Sequence, residues 1–494
     1  MSDLQDLEAL LRGQGTPIVV IETHEEDRVL GLFTRLGPRL GQSVFRWTIT
    51  EGLRELGRLS SRDAHCDDPT DVLKEIKQTR SSGIYVLSDY HPYFSDPVHI
   101  RLLRDIALRQ AEGDHTVVLI SHKLTIPDEL KRCSATFELS LPDRDKLRDA
   151  VLEEARDWSR RSGGRNVRTN RVRLNRLVDN LLGLPMDDAR RLARGAIEDD
   201  GAITEDDLPE VMRTKFDLLG QDGVLSFEYD TSRFADVGGL ARLKRWLELR
   251  RAVFTGEINT PGLDKPKGIM LLGVQGCGKS LAAKAVAGAW GVPLLRLDFG
   301  ALYNKYHGET ERNLRDSLRQ AEMMRPCTLW IDEIEKGLGQ GESSDGGVSR
   351  RVLGTLLTWM SESADQVFIV ATANDIEPLP PELLRKGRLD EIFFVDLPED
   401  EERQTIFEIH LKKRSLESAQ FDLSGLSQAS AGFSGAEIEQ AVVAGLYAAH
   451  ATGNTLNQSI LLEELGTTRP LSVVMREKIA QLRVWAAERT VKAN

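Results

Sequence analysis

The residues with the clearest chemistry lie in a glycine-rich segment, residues 273–280, which reads GVQGCGKS. Glycines let the backbone N–H groups of such a loop curl around phosphate oxygens, and the positive end of a following helix adds to the attraction. The lysine of this pattern pairs with the β- and γ-phosphates and the hydroxyl ligates Mg²⁺, so we assign these roles to Lys279 and Ser280. We interpret Cys277 as a filler of the loop and not as a catalytic thiol. A glycine-rich turn without a ligand is the alternative. The predicted nucleotide-binding residues here are Gly273, Val274, Gln275, Gly276, Cys277, Gly278, Lys279, Ser280 and Leu281.

Two acidic residues and an amide follow apolar runs further along the chain. Residues 328–331 are followed by Asp332 and Glu333, and residues 367–371 are followed closely by Asn374. Beside phosphates, the first carboxylate can hold a metal ion through water and the second can polarise the attacking water. A neutral amide can orient that water, although a turn residue is the alternative for Asn374. The position of the acidic pair after a phosphate loop favours catalytic roles, with Asp332 as a metal-binding residue beside the loop hydroxyl.

Two arginines, Arg385 and Arg388, lie in the segment LLRKGRLD. A phosphoryl-transfer transition state spreads negative charge over its oxygens, and an arginine from a neighbouring chain can stabilise that charge. We therefore treat both as candidate catalytic residues. Two solvated arginines in a loop are the alternative.

These residues require a sheet whose strands end at one edge, and the chain carries two sets of suitable strands. Short apolar runs alternate with segments long enough for a helix, which predicts parallel α/β sheets. In the first set the predicted strands are residues 17–21, 44–50, 84–87, 116–120 and 137–141. In the second set they are residues 268–273, 293–297, 328–331, 367–371 and 392–395. The charged residues 146–215 and the residues from about 401 onward are predicted to be helical.

The two sets resemble an internal repeat. VVLIS at 117–121, PDELKR at 127–132 and FELSLP at 137–142 occur in the same order as FIVAT at 368–372, PPELLR at 380–385 and FFVDLP at 393–398. Two unrelated α/β domains are the alternative. We predict an α/β domain at 1–145, a helical lid-like region and linker at 146–225, an α/β nucleotide domain at 226–400 and a helical lid at 401–494.

Residues 230–440 resemble the AAA ATPase family, in its branch with the second region of homology. The segment FADVGGL at 234–240 is similar to the part of that family that contacts adenine. The segment 371–388 resembles the stretch from its sensor 1 to its arginine finger, and GFSGAE at 432–437 resembles its lid motif. The nucleotide-binding residues that this resemblance adds are Asp236, Val237, Gly238, Gly435 and Ala436.

Such a resemblance implies a P-loop α/β domain with a helical lid, hydrolysis of ATP with Mg²⁺, and assembly as a ring, usually a homo-hexamer. ATP then lies between protomers, so Arg385 and Arg388 reach the site of a neighbour. The segments RPLS at 469–472 and LRVWAAER at 482–489, with VIET at 20–23, resemble one uncharacterised subgroup. That subgroup is named after a hypothetical chloroplast reading frame and occurs in bacteria and plastids.

Residues 305–311 (KYHGETE) lie where threading AAA rings carry a pore loop. The resemblance implies that Tyr306 grips a polypeptide by stacking and apolar contact. His307 departs from the family pattern, which has an apolar residue there, and would make the grip sensitive to pH. A surface loop whose tyrosine packs on the lid is the alternative. Residues 341–347 fit a second pore loop and fit a polar linker equally well.

The first half lacks the chemistry of the second at the corresponding positions. Its first strand is followed by residues 22–28 (ETHEEDR), which contain no glycine and four carboxylates. Carboxylates repel phosphate where the loop would need N–H donors. The third strand ends in Ser88 and Asp89 in place of an Asp-Glu pair, and Lys123 stands near the place of the amide. We predict a degenerate AAA-like or RecA-like module that does not hydrolyse ATP. Arg132 aligns with Arg385, and a relict finger is the less favoured interpretation of this residue. A partner-binding platform of unrelated origin is the alternative.

Charge and composition limit the partners and the location. The chain has 65 Lys and Arg against 77 Asp and Glu, a net charge of −12, which excludes a polycation that coats nucleic acid or anionic membranes. Eight arginines between residues 156 and 176 face one acid, Asp157, and an ion-paired surface is favoured over contact with a nucleic-acid backbone. No run approaches the ~20 apolar residues that span a bilayer. The first residues lack a basic leader with an apolar core, and four scattered cysteines do not form a disulfide framework. We predict a cytoplasmic protein without membrane contact.

The sequence as a whole predicts an ATP-hydrolysing AAA ring protein, a homo-oligomer that remodels or threads an unidentified protein client. A nucleic-acid-associated motor and a nucleotide-gated regulator that does not thread are the alternatives.

Overall fold

The chain folds as two compact units, Met1–Pro142 and Asp143–Asn494, in the computed structural model. Each unit contains one mostly parallel sheet, so the prediction of an α/β fold class is confirmed. The structure describes residues 3–13, 16–56, 66–109, 115–204, 206–219, 224–229, 237–258, 262–304, 310–338, 346–362, 366–385 and 387–494.

The first unit has a six-stranded sheet in the order β3-β2-β4-β5-β1-β6, in which only the β2–β3 pair is antiparallel. Its strands are β1 (Ile18–Glu22), β2 (Ser43–Thr48), β3 (Gly52–Glu55), β4 (Gly83–Ser88), β5 (His115–Ser121) and β6 (Ser134–Thr136). Its helices are α1 (Asp3–Gly13), α2 (Glu26–Leu40), α3 (Pro69–Gln78), α4 (Pro97–Leu108) and α5 (Asp128–Lys131), with a 3-10 helix at His91–Ser95. All seven residues of β5 are buried, as expected for a central parallel strand covered on both faces.

Two strands of this unit differ from the prediction. The strand predicted at 44–50 ends at Thr48, and the chain turns back at Gly52, which adopts a positive φ of 67°. The strand predicted at 137–141 is wrong, because the strand occupies Ser134–Thr136 and only the N–H of the next residue still bonds to the sheet. The backbone of Ser140 is bound by side chains instead: its N–H donates to Asp3 and its carbonyl oxygen accepts from Arg28. These side chains replace the partners that a strand would have offered.

The second unit begins with four helices in the charged, strand-poor segment and continues into a seven-stranded sheet. The helices are α6 (Arg144–Arg161), α7 (Arg171–Leu181), α8 (Met186–Glu198) and α9 (Leu208–Leu218). The elements of the sheet region are β7 (Leu225–Glu228), α10 (Ala241–Phe254), β8 (Gly268–Gly273), α11 (Lys279–Trp290), β9 (Leu294–Asp298), α12 (Phe299–Asn304), α13 (Thr310–Met323), β10 (Cys327–Asp332), α14 (Ile334–Leu338), α15 (Gly346–Glu362), β11 (Val367–Ala373) and β12 (Glu391–Val395).

The remaining elements form the helical C-terminal region. They are α16 (Asp400–Lys413), a 3-10 helix at Ser418–Gln420, α17 (Leu423–Ala429), α18 (Gly435–Ala451), α19 (Gln458–Thr467), α20 (Leu471–Val474), α21 (Arg476–Ala487) and β13 (Val491–Lys492). The expectation of helix from about 401 to the last residue is therefore wrong at the end, because Val491–Lys492 form a strand beside β12. No helix among the described residues combines the length and apolar character needed to cross a membrane.

The two sheets share one strand order. The sheet of the second unit runs β13-β12-β8-β11-β10-β9-β7. The second sheet has a sixth parallel strand, β13, at its edge. When β13 is left aside and the other five parallel strands of each unit are numbered along the chain, both sheets read 5-1-4-3-2. The residue directly after the third of these strands has a positive φ in both units, 52° at Asp89 and 48° at Glu333. This agreement supports the internal repeat.

The strand that leads into the phosphate loop is buried throughout. Every residue of β8 is buried, and its side chains alternate between two cores. Met270 and Leu272 pack with β9, β10, α13 and α15 on one face, whereas Ile269 and Leu271 pack with α10 and α11 on the other. The strand is therefore fixed from both sides at the point where the loop begins.

Candidate functional site

The phosphate loop connects β8 to α11, and its glycines are required by its shape. Gly276 and Gly278 have φ values of 77° and 86°, which favour residues without a Cβ atom. At Gly273, a Cβ atom would lie 1.9 Å from the carbonyl oxygen of Val395 on β12. Since Gly278 is the N-cap of α11, the loop delivers its N–H groups next to the positive end of a helix. This arrangement is suited to binding phosphate.

Lys279 lies inside this loop. Its side chain is 6% exposed, and its Nζ donates hydrogen bonds to the carbonyl oxygens of Gly273 and Val274 at 2.9 and 2.8 Å. Burial lowers the pKa of Lys279 to about 8. Burial also raises the pKa of Cys277 to about 12, so its thiol stays protonated at neutral pH. The next residue, Ser280, is exposed to solvent at the end of the phosphate loop.

The hydroxyl of Thr372 connects both acidic residues. Its Oγ1 donates to Asp332 Oδ1 at 2.9 Å and accepts from the backbone N–H of Glu333 at 3.0 Å. The other carboxylate oxygen of Asp332 accepts from Arg296 at 2.8 Å. Because β10 lies between β9 and β11 in parallel register, the three strands end together and bring these groups to one edge.

Asn374 lies beside the second carboxylate, as the spacing suggests. Its Nδ2 donates to Glu333 Oε1 at 2.9 Å, and its backbone N–H donates to Glu335 Oε1 at 3.0 Å. Lys336 forms an ion pair with the other oxygen of Glu333. Burial raises the pKa of Glu335. The Glu333 carboxylate is thus held from both sides, in a backbone conformation uncommon for a residue with a side chain.

These groups line one cavity of about 520 Å³. The phosphate loop, both acidic residues, Thr372 and Asn374 form one part of its wall. The other part carries Val237 and Gly238, with Ile406 and His410 of α16. Burial lowers the pKa of His410, which favours the neutral imidazole. The remaining predicted residue of this wall, Asp236, lies outside the described residues.

The helical region closes over the phosphate loop. The backbone N–H of Ala436, in the first turn of α18, donates to the carbonyl oxygen of Gly276 at 3.0 Å. Gly435 and Ala436 both line the cavity. A Cβ atom at Gly276 would lie 2.9 Å from Ser434 Oγ, so the loop and the lid approach each other closely. The N-terminal ends of two helices, α11 and α18, therefore meet at the loop.

The predicted arginines and the predicted pore loop lie elsewhere. Arg385 is exposed, and neither it nor Arg388 lines the cavity of its own chain. Arg388 donates to the carbonyl oxygen of Glu382 and lies 3.4 Å from Ser361 Oγ. Tyr306 and His307 lie outside the described residues, as do residues 341–345 of the second loop.

The site also includes residues that no predicted motif contains: Thr372, Glu335, Arg296 and Asn494. Thr372 lies near the end of β11, two residues before Asn374, which follows the strand. This spacing places the two side chains on the same face, and the periodicity is a usable signal. The pairing of Arg296 with Asp332 follows from the β9–β10 register, since Arg296 pairs with Trp330 and its guanidinium lies 4.9 Å from that ring. No sequence pattern indicates Asn494, which reaches the cavity from the far end of the chain.

In the first unit, the carboxyl ends of the parallel strands form the corresponding edge. Carboxylates at this edge form hydrogen bonds and an ion pair with other residues of the same unit. Glu22 Oε1 accepts from the N–H of Leu124 at 2.8 Å, and Glu26 Oε1 accepts from Ser88 Oγ at 2.5 Å. Arg28 forms an ion pair with Glu25 at 2.7 Å. Acidic side chains thus stand where the second unit has its phosphate loop.

A second resemblance between the units is a hydroxyl bonded to a carboxylate. Ser121 Oγ, at the end of β5, donates to Asp89 Oδ1 at 2.8 Å, much as Thr372 donates to Asp332. Arg132, which aligns with Arg385, is exposed. The first unit therefore retains the contact between a hydroxyl and a carboxylate at this edge of the sheet, but it has acidic side chains in place of the phosphate loop.

At least half of the eight arginines in the arginine-rich stretch form ion pairs with acids. Its ion pairs join Arg160 to Asp157, Arg161 to Glu198, Arg168 to Asp200 and Arg176 to Glu257. These pairs favour the interpretation of an ion-paired surface over a contact site for a nucleic-acid backbone.

Binding of a nucleoside triphosphate should weaken as the pH rises above about 8. Below that value Lys279 carries its charge, and above it the free protein must take up a proton before the phosphates can pair with an ammonium group. We expect the dissociation constant of ATP, measured by isothermal titration calorimetry, to rise about tenfold from pH 7 to pH 9. The Lys279→Met variant should bind weakly throughout and lack this dependence. An affinity that stays constant over this range would contradict the assigned role of Lys279.

Family comparisons cover both units. A model of the ATPase family associated with various cellular activities (AAA) matches residues 269–397. The N-terminal domain of SpoVK-like AAA ATPases matches residues 3–139, and the second domain of the same proteins matches residues 145–222.

Curated relatives span the whole chain. An uncharacterized AAA domain-containing protein, ycf46, of Guillardia theta is 35% identical, covering 99% of this chain and 95% of the relative. Its counterpart in Pyropia yezoensis is 36% identical, covering 99% and 98%. A cell division cycle protein 48 homolog of Archaeoglobus fulgidus is 35% identical over 42% of this chain and 29% of its own length. With similarity at this level along its whole length, the chain belongs to the AAA ATPase family and shares its nucleotide binding and ATPase activity. The ycf46 proteins to which it is similar belong to the subgroup that its terminal segments indicate.

Proposed function

We propose that this ATPase works as a homo-oligomeric ring, a hexamer, that hydrolyses Mg·ATP between protomers and uses the cycle to remodel or thread a protein client. The observation that carries the proposal is the position of Glu333, which shares one cavity with Lys279 and is held by Asn374. We place the protein in the cytoplasm because its four cysteines are unpaired, which suits a reducing compartment.

In the proposed reaction, Glu333 accepts a proton from the attacking water. The amide of Asn374 fixes the carboxylate through its bond to Oε1, so the free lone pairs face a constant direction. Lys279 pairs with the β- and γ-phosphates, and the N–H groups of the loop at the start of α11 surround them. The lid holds the loop at Gly276 and limits the access of bulk water.

Magnesium fits the residues that are present. Ser280 and Asp332 both line the cavity and offer oxygen atoms, the ligands that this ion prefers. Bound beside the phosphates, the ion neutralises charge that develops during phosphoryl transfer. Both oxygens of Asp332 already accept hydrogen bonds, from Thr372 and Arg296, which hold the carboxylate at a fixed angle. A contact through water is therefore the arrangement that we propose.

The exposure of Arg385 supports a site shared between protomers. Phosphoryl transfer benefits from an arginine near the γ-phosphate, and Arg385 lies outside its own cavity. An arginine on the surface of one protomer can serve the cavity of the next when copies assemble head to tail in a closed ring. The proposed ring thus adds an arginine to the site, which the described lining of the cavity in one chain does not include.

Mixing two inactive variants should restore activity. Arg385→Ala and Glu333→Gln should each bind ATP and hydrolyse it at least about 100-fold more slowly, because each lacks one group needed at the transition state. In a random equimolar mixture, about a quarter of the sites combine an intact Glu333 with an intact arginine from the neighbour. Phosphate release should therefore recover to about a quarter of the wild-type rate.

The matched control for this experiment is Arg132→Ala. Arg132 is the exposed arginine at the aligned position of the first unit, and its loss should leave the rate unchanged. A mixture that stays as slow as its two components would rule out sharing of sites and leave a single-chain ATPase, which fits the nucleotide-gated regulator.

Threading makes a separate prediction about Tyr306. In a threading ring, the Tyr306→Ala variant should keep at least half of the ATPase rate and lose its grip on a polypeptide. The assay is the ATP-dependent loss of fluorescence of a fluorescent protein that carries an unstructured tail. Tyr447→Ala is the control, because Tyr447 is a tyrosine of the helical region that is 74% exposed. Unfolding that continues unchanged in Tyr306→Ala would remove the pore-loop role.

A further inference from the structure

The last residues of the chain contribute to the nucleotide cavity. Residues 491–494, here called the tail, end in Asn494, which lines the cavity beside Val237, Gly238 and Leu240. This wall lies on the α10 and α16 side, where the resemblance places adenine. The tail is therefore a candidate for a role in holding the base.

The sheet fixes the backbone of the tail. Val491 and Lys492 pair in parallel with Phe393 and Phe394 of β12, and the N–H of Ala493 donates to the carbonyl oxygen of Phe394 at 3.0 Å. Ala493 is 1% exposed. These contacts with β12 thus fix the position of Asn494, which follows Ala493 beyond the end of β13.

The tail completes the first turn of α10. The first N–H groups of a helix have no partner within it, and the N-cap here, Leu240, has no side-chain acceptor. The carbonyl oxygen of Ala493 accepts from the N–H groups of Arg242 and Leu243 at 3.0 and 3.1 Å. The side-chain oxygen of Asn494 accepts from the N–H of Leu240 at 2.5 Å. The tail supplies the acceptors that the local sequence lacks.

The segment between the tail and the lid has little freedom to move. A Cβ atom at Gly238 would lie 2.8 Å from Ile406 Cγ1 of α16. A Cβ atom at Gly239, whose φ is 71°, would lie 3.3 Å from Asn494 Oδ1. Residues 237–240 are thus packed between α16 and the tail, and their position depends on both.

The hydrogen bonds of the tail are confined to the side of the cavity formed by residues 237–240 and α10. Among the described residues, its hydrogen bonds reach β12, Leu240 and the start of α10, and none reaches the phosphate loop. Removal of a tail contact is therefore expected to disturb the base and to leave the phosphates in place.

We propose that the tail positions the base-binding wall of the nucleotide site through the bond between Asn494 and Leu240. The proposal rests on nucleotide binding in this cavity and adds a residue that no motif of the phosphate loop or the lid includes. Asn494 acts here as a positioning residue, because its shown contact is with the protein backbone.

The test compares a ligand with a base and a ligand without one. The Asn494→Ala variant should bind ATP about tenfold more weakly, because a buried N–H loses its acceptor, while its affinity for inorganic tripolyphosphate stays within about twofold of wild type. The Asn494→Asp variant keeps an acceptor oxygen and should bind ATP within about threefold of wild type. Both ligands are titrated calorimetrically into the full chain with Mg²⁺ present.

Lys492→Ala is the matched control, since Lys492 is an exposed residue of the same strand and should change neither affinity. Unchanged ATP binding in Asn494→Ala overturns the proposal, and so does an equal loss for ATP and tripolyphosphate, which indicates general damage to the fold. A wild-type chain that binds neither ligand would overturn the nucleotide site itself, so the two failures are distinguishable.

Discussion

The hydroxyl of Thr372 is the contact on which the arrangement of the acidic pair depends. It donates to Asp332 and accepts from the backbone of Glu333, so one side chain of β11 fixes two consecutive residues at the end of β10. The contact requires β10 and β11 to be parallel neighbours in the observed register. It also supports the left-handed backbone of Glu333, which directs the carboxylate toward Asn374. The metal-binding and base roles proposed for this pair both follow from that arrangement.

The order of the sheet brings the acidic pair and the phosphate loop together. β8 lies between β11 and β12. The phosphate loop therefore begins next to the strand that carries Thr372, and its first residue, Gly273, packs closely against Val395 of β12. The close approach at Gly273 and the bond from Ala436 to Gly276 enclose the loop between the sheet and the lid. The cavity therefore depends on contacts among segments that are far apart in sequence.

The first unit repeats this architecture with different side chains. Both sheets read 5-1-4-3-2, and both have a left-handed residue after the third parallel strand. At this edge, however, Glu22 and Glu26 bind groups of their own unit, and residues 22–28 after the first strand contain no glycine. The same strand order thus carries two different sets of side chains, and we infer that ATP hydrolysis belongs to the second unit.

Local patterns in the sequence predicted the parallel strands, the phosphate loop and the acidic pair. These features depend on apolar runs, glycines and residue order, which a single sequence displays directly. The end of the strand at Thr136, in place of the strand predicted at 137–141, could not be predicted, because Asp3 and Arg28 bind the backbone of Ser140 from helices far away in sequence. The same holds for the tail, whose acceptors serve α10 from the other end of the second unit. The role of Thr372 depends on strand register, which side-chain type alone does not specify.

The measurement that tests this account most directly compares Thr372→Val and Thr372→Ser in ATP binding and phosphate release. Valine keeps the shape of threonine and removes the hydroxyl, whereas serine keeps the hydroxyl. We expect the valine variant to bind ATP with wild-type affinity and to hydrolyse it about 10- to 100-fold more slowly, since both acidic residues lose their common anchor. The serine variant should stay within about threefold of wild type. Normal turnover in the valine variant would contradict the claim that this hydroxyl organises the catalytic edge.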